Sequence, residues 1–485
     1  MRAKLNDYVS KFNASDHELY RNQITNEQVT QFLQEQIPLL DCPDPQIEEI
    51  YYFRWWTFRK HIRKTKSGHV ITEFLPDVPW SGPENAIVCP ACLQIREGRW
   101  LKDPDGIMKD YIRFWLQDNE SALDYSAWLP AAVWEYCCHK NDMQFALECL
   151  PALVSFFKER EQRHRRGCGL YWQDDNRDGM EYSISGPGLR PTINSYVWAD
   201  AMAIAQIAQM AGDLDLHRQY LQIAQDIRSA MNRLLWDGSF YKTIPMDQCE
   251  DPFLPSRPAI DPAHDVRELI GFIPWYFSMP AKDTAPPFTL LTDPDVFYAP
   301  FGLTTAEQGH PRFMERHPHE CLWNGPVWPF ATSQVLVAAA NLLRQYPSTG
   351  FTKEDYFKLL RQYADSHRMT AEDGSSVPWI DENLHPYTGC WLTRDELGRF
   401  PEKVAEVGPE RGKDYNHSLY CDLILSSLLG IQIQDGIVTA EPMIPDYWDW
   451  FRVENLFADG RRWQITFDRD GSHYGEQCGL WVTAY

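Results

Sequence analysis

Apolar residues along this chain fall into two alternating patterns. The stretches 128–136, 196–204, 326–334 and 417–425, opened by Trp128, Tyr196, Pro326 and His417, are almost continuously apolar and rich in small residues. The first two are followed by polar turns, His139-Lys140-Asn141-Asp142 and Ala211-Gly212-Asp213-Leu214-Asp215. Beyond each turn, over 143–161 and 216–235, apolar residues recur at i, i+3, i+4 and i+7. A helix apolar on all sides is buried, whereas one with a single apolar stripe covers a core and faces water. The pattern therefore predicts helical hairpins, each with a buried inner helix and a half-exposed outer one.

The hairpins recur at a long interval. Trp128 and Trp198 are about 70 residues apart and Trp198 and Trp328 about 130, close to twice that, with segment 268–277 near the midpoint. A repeat of this length predicts toroidal stacking of helical pairs, and the chain has room for about six. The expected fold is mainly α, an (α/α)6 barrel whose site lies where the loops of the inner helices converge at one end.

The two ends read differently. Residues 1 to about 40 are polar and helix-like, while 50–100 mixes aromatic and β-branched runs, Tyr51-Tyr52-Phe53 and Val70-Ile71-Thr72-Glu73-Phe74, with Pro and Gly. After Gly430 the helical period gives way to short β-like runs at 436–440, 461–467 and 479–483, with Asp468-Arg469-Asp470-Gly471 as a hairpin turn. The expected organisation is an N-terminal segment, 1–100, packed on a catalytic barrel, 101–435, and a small C-terminal β-sheet appendage, 436–485.

Charge narrows the partners. A net charge of −22 among 485 residues opposes binding to nucleic acid, which needs clustered Lys and Arg to neutralise phosphates. No run approaches the ~20 apolar residues of a membrane span, and the N-terminus lacks a signal-peptide core, so a soluble, cytoplasmic protein without a membrane partner is expected. The oligomeric state is not legible. Twelve cysteines without an export signal are expected to be reduced thiols. Cys89-Pro90-Ala91-Cys92 has CxxC spacing but lacks a second ligand pair, so neither metal nor cofactor is expected.

Candidate chemistry sits in two loops. The first holds Trp172, Asp174, Asp175, Asp178, Glu181 and Tyr182, then Arg190 and Asn194-Ser195 at the start of the next inner helix. The second holds Trp379, Asp381, Glu382 and Trp391, with Glu372 and Asp373 slightly earlier. Most acids are solvated surface groups or helix caps. These stand instead among Trp, Tyr, Gly and Pro, and amphipathic rings lie well against the apolar faces of sugars. Cleaving a glycosidic bond needs a protonated carboxyl at the leaving oxygen and a second carboxylate that attacks the anomeric carbon or activates water. Two acidic, aromatic loops from distant parts of the chain fit that need.

At these residues the chain resembles the glycoside hydrolase family 63 group, which includes mannosylglycerate hydrolases and is more remotely related to trehalases and glucoamylases. Arg177-Asp178-Gly179-Met180-Glu181 resembles the group's acid motif, Trp323-Asn324-Gly325-Pro326-Val327-Trp328 its helix start, and Glu382-Asn383-Leu384-His385-Pro386-Tyr387-Thr388-Gly389 its base motif. The likeness covers roughly 124–430. It implies a six-hairpin glycosidase in which Glu181 is the general acid and Glu382 the general base of an inverting mechanism. The group has Asp where Glu181 stands and Trp-Arg where Trp323-Asn324 stands, which keeps Asp178 as an alternative proton donor. Trp172, Tyr182, Arg190, Asn194, Trp323, Asn324, Trp328, Trp379 and His417 are the expected sugar-binding residues. The expected activity is hydrolysis of a small glycoside or oligosaccharide, as an α-glycosidase. Three other readings compete: an epimerase using His319, His385 and His417, an arabinofuranosidase with a zinc-held cysteine, and a non-catalytic sugar-binding protein.

Overall fold

The structure is a computed structural model of the 485-residue chain, and it describes all residues except 21, 118, 285, 347–349, 372 and 409, together with the side chains of 119 and 120. Glu372 thus lies outside the described residues. The helices are α1 (Arg2–Ala14), α2 (Val29–Gln36), α3 (Pro45–Phe58), α4 (Ala91–Gly98), α5 (Ile107–Gln117), α6 (Asn119–Ala122), α7 (Leu129–Lys140) and α8 (Met143–His164). They continue with α9 (Pro191–Met210), α10 (Leu214–Leu234), α11 (Ile273–Tyr276), α12 (Pro329–Gln345), α13 (Lys353–Ser366), α14 (Leu392–Gly398) and α15 (Pro401–Val407). A π-helical turn, Leu423–Leu428, follows.

Inner and outer helices begin by different means. α7, α9 and α12 carry Pro in the first turn, where the missing N–H has no intrahelical partner to lose. The outer helices begin on side-chain caps: Asp142 accepts from Phe145 N, Asp213 from Leu216 N, and Thr352 forms a capping box with Asp355. Burial follows the same division. α9 is buried from Pro191 to Ala201 at all but one position, whereas α10 buries only a stripe through Tyr220, Ala224, Ile227, Ala230, Met231 and Leu234. α4 packs on α7, α7 on α9, α9 on α11, α11 on α12, and α12 on the π-helical turn. Asp422 returns this series to α4 and the residues after it: its buried carboxylate meets Arg96 at 2.8 Å, Arg99 at 2.7 Å and Trp100 Nε1 at 2.8 Å.

Segment 50–100 is where the structure departs from the β-like reading. Tyr51-Tyr52-Phe53 lies inside α3, which Asp44 caps and Pro45 opens. Every residue from Ile50 to Phe58 is buried, so no polar face marks the helical period. The Val70-Ile71 run does form a strand, Gly68–Ile71, paired antiparallel with Ile62–Thr65.

The C-terminal sheet has four antiparallel strands in the order Leu39–Asp41, Trp450–Ala458, Arg461–Asp468 and Gly479–Ala484. Its first strand comes from the N-terminal segment. A separate hairpin pairs Ile431–Gln434 with Ile437–Ala440. The tight turn of the large sheet is at Asp459-Gly460, both at positive φ (49° and 73°), not at 468–471, where a longer connection over 469–478 begins. No helix among the described residues is long and apolar enough to cross a membrane. All twelve cysteines are free thiols.

Candidate active site

A cavity of about 190 Å³ opens at the ends of the inner helices where the loops converge. Its walls include Glu73, Phe74, Trp80, Cys89, Tyr125, Glu181, His319, Glu320, Cys321, Trp328, Glu382, Arg411, Tyr415 and His417. Glu181 and Glu382, 201 positions apart in the sequence, therefore face one cavity.

The Glu181 loop is shaped from behind. Asp174 caps a 3-10 turn, Asp175–Asp178, and Gly179 leaves it in the left-handed region at φ 70°. A Cβ on Gly179 would come within 2.7 Å of Cys89 Sγ. Below the turn, Asp178 is buried against Arg190, 2.5 Å from its Nε, and accepts from Thr192 Oγ1. Arg190 also donates to Ser183 Oγ (3.1 Å) and Gly186 O (2.6 Å). Glu181 O accepts from Trp323 N (3.0 Å), tying the loop to the segment before α12.

The Glu382 loop is held equally firmly. Leu384 and Val327 exchange backbone hydrogen bonds at 2.9 Å, joining it to the start of α12. Asp381 pairs with Arg394 (2.8 Å), and Asn383 Oδ1 accepts from Thr393 N and Oγ1, each at 3.0 Å. Arg411 reaches Glu382 Oε2 at 2.6 Å and Glu320 Oε1 at 3.0 Å. The chain approaches so closely here that a Cβ on Gly412 would lie 1.7 Å from Asp381 Oδ1.

The two carboxyls have different electrostatic surroundings. Burial, reinforced by the charges of Glu382 and Asp175, pushes Glu181 up to about 8. Burial also raises Glu382, but the Arg411 guanidinium opposes it and favours the ionised form. Glu320, with Lys403 and Arg411 beside it, is held down at about 2 although it is half-buried. Burial pushes Glu73 up to about 8 and His417 down to about 3, so that this imidazole is neutral.

Of the residues expected from the sequence, the cavity brings together Glu181, Glu382, Trp328 and His417. Trp323 stands one layer behind, stacked on Trp328 at 4.4 Å. Tyr182 is half-exposed and stacks on His317 at 4.7 Å. The others do not line the cavity. Asp178 is paired with Arg190 under the loop and does not line the cavity. Trp172 donates to Met246 O, and Asn194 is spent on Tyr171 and Arg190 backbone atoms. Asn324 donates to Glu315 O, and Trp379 lies under Arg394 and Lys413. His319 is in the wall but His385 is not.

Glu73, Tyr125, Glu320, Arg411 and Tyr415 were not expected there. Tyr415, two residues before His417, was within reach of the sequence argument; Glu73 and Arg411 carry no local motif. Cys89 meets His417 Nε2 (3.4 Å), and Cys92 accepts from Trp128 N (3.3 Å). Among the described residues no group of three or more His, Cys, Asp or Glu is placed to hold a metal ion.

Two loop carboxyls lining one cavity at one end of stacked helical hairpins point to the general class, and comparison with known proteins gives the family. The sequence model described as the mannosylglycerate hydrolase MGH1-like glycoside hydrolase domain matches residues 83–418, and the chain belongs to that family. Among solved structures, one described as a sialidase is 34% identical with a TM-score of 0.88; the match covers 100% of this chain and 43% of that one. The chain thus spans less than half the length of that relative. A GH78 family rhamnosidase of Bacillus sp. GL1 (TM-score 0.58, 13% identity, 90% of this chain and 40% of that) shares the fold. So does a bacterial glucoamylase complexed with acarbose (TM-score 0.52, 11% identity, 83% of this chain and 58% of that).

Proposed function

We propose that this protein is an inverting glycosidase built on an (α/α)6 barrel, acting on a small α-glycoside, with Glu181 as general acid and Glu382 as general base. The observation that carries the reading is the meeting of these two carboxyls at one cavity, with only Glu382 in direct contact with a cation. Glu181, pushed up to about 8, holds its proton at neutral pH and can protonate the leaving oxygen. Glu382, paired with Arg411, whose guanidinium favours its ionised form against the push of burial, is the partner that takes a proton from the attacking water. Trp328, stacked on Trp323, offers an apolar wall for a sugar face.

The cavity also bears on the substrate. At about 190 Å³ it is smaller than the ~300–1,000 Å³ of drug-sized sites, which suits one sugar ring. Four carboxyls, Glu73, Glu181, Glu320 and Glu382, face it, and the guanidinium of Arg411 is already shared by Glu320 and Glu382. An anionic sugar would find no free cation among these walls, so the glycone is a neutral sugar.

The test is a panel of neutral and anionic α- and β-glycosides, with the anomeric proton of the released sugar followed by NMR. Release of a neutral sugar with net inversion is expected. Glu382→Gln should lower kcat/KM by at least about 10³-fold with the melting temperature little changed. Retention of configuration, epimerised free sugar, or a Glu382→Gln enzyme within tenfold of wild type would refute the assignment.

A further inference from the structure

Glu73 is a further carboxyl in the cavity, and the acid–base chemistry does not use it. It comes from the N-terminal segment, before the family-matched stretch 83–418 begins. The hairpin of Ile62–Thr65 and Gly68–Ile71 ends just ahead of it, and Thr72 is fixed on both sides: its N–H donates to His61 O (3.0 Å) and its carbonyl accepts from Gln94 Nε2 (3.3 Å). The side chain is thereby aimed into the cavity wall and is only 3% exposed.

One oxygen of this carboxyl is satisfied and the other is not. Oε1 accepts from Tyr415 Oη at 2.8 Å. Tyr415 Oη is in turn hydrogen-bonded to His417 Nδ1, and His417 Nε2 lies 3.4 Å from Cys89 Sγ. His417 is neutral, so one tautomer completes the series. In that tautomer the Cys89 thiol donates to Nε2, Nδ1–H to Tyr415 and the Tyr415 hydroxyl to Glu73. Each group then donates once, and the series ends on Glu73 Oε2, a buried atom without a hydrogen-bond partner.

A buried carboxyl oxygen is costly to leave unpaired, and one on a residue that lines a cavity indicates what the cavity receives. We propose that Glu73 Oε2 is the hydrogen-bonding partner of one hydroxyl of the glycone and selects which sugar the cavity takes. The inference rests on the glycosidase reading for the identity of the ligand, a monosaccharide unit. Burial keeps the carboxyl neutral at pH 7, so Oε2 can offer a proton as well as accept one. A site built to pair a hydroxyl discriminates strongly against the analogue lacking it, because its own polar group is then left buried and unpaired.

The test is equilibrium binding of free neutral monosaccharides and their monodeoxy analogues, which needs no turnover. It is read by tryptophan fluorescence, since Trp80 and Trp328 line the cavity. The wild type should bind at least one sugar, and Glu73→Ala should weaken that binding by about 10–100-fold. Glu73→Gln, which keeps a neutral donor and acceptor in place, should stay within about threefold. Removing one particular hydroxyl from the sugar should weaken wild-type binding by a similar factor and weaken Glu73→Ala no further. Equal binding by wild type and Glu73→Ala, losses that add at every hydroxyl, or no monosaccharide bound by wild type would overturn the proposal. The hydrolytic reading fails by a different outcome: sugar bound, and no glycoside cleaved.

Discussion

Glu181 is the side chain whose protonation state is most informative. Its carboxyl is raised from 4.5 to about 8, chiefly by burial. The neutral form is therefore favoured by the fold, and its contribution to stability is complete below about pH 4.5 and is lost as pH rises towards about 8. In the proposed mechanism activity depends on the same proton, so kcat/KM should fall above about pH 8. Glu181→Gln cannot supply a proton; it should lose about 10²–10⁴-fold on glycosides with poor leaving groups and much less on activated aryl glycosides. A uniform loss across leaving groups would remove Glu181 from the acid role. Which acids could matter was legible in their aromatic, glycine-rich surroundings. Which of them reaches the cavity was not: Asp178 and Glu181 sit three residues apart, and only the burial of Arg190 under the loop takes Asp178 out of contention.

At the scale of elements, the loops that carry the carboxyls are fixed by contacts with other segments. The backbone of 411–412 is pressed against the Glu382 loop, and Gly412 is required by space: a Cβ there would lie 1.7 Å from Asp381 Oδ1 and 3.3 Å from Glu382 Cγ. Gly412→Ala should push the two loops apart and lower kcat/KM by about 10²-fold or more, since displacements near 1 Å have such effects. Gly309→Ala, where no atom lies within 4 Å of the new methyl, is the control and should leave the rate unchanged. Equal rates in both variants would show that the loop tolerates the shift. The same scale shows which elements a linear reading recovers. α8 and α10 were legible because one face meets water, and their capping residues, Asp142 and Asp213, are written in the polar turns. α3 was illegible because from Ile50 to Phe58 it is buried on every side, which erases the contrast that a period needs.

On the scale of the whole molecule, the first and last inner segments are joined by charge. Asp422 is fully buried with Arg96 and Arg99, and these cations hold its carboxyl well below the usual range against the upward push of burial. A depressed acid stabilises the fold above its unfolded value near 3.8, and that contribution is lost as pH falls further. Asp422→Asn leaves two buried guanidinium groups short of a partner and should destabilise the protein by about 3–5 kcal/mol, read as a lower denaturation midpoint. A change below about 1 kcal/mol would mean that apolar packing alone holds these segments together. The sequence by itself determined the alternation of buried and half-buried helices, the β-rich C-terminus and the two acidic loops, because periodicity, caps and motifs are local. Only the tertiary structure decided that Glu73 joins Tyr415, 342 positions away, that Arg411 lies on Glu382, and that Leu39–Asp41 completes a sheet made by the C-terminus. Those pairings arise from how distant segments pack, and packing across the chain leaves no periodic trace in any one stretch of it.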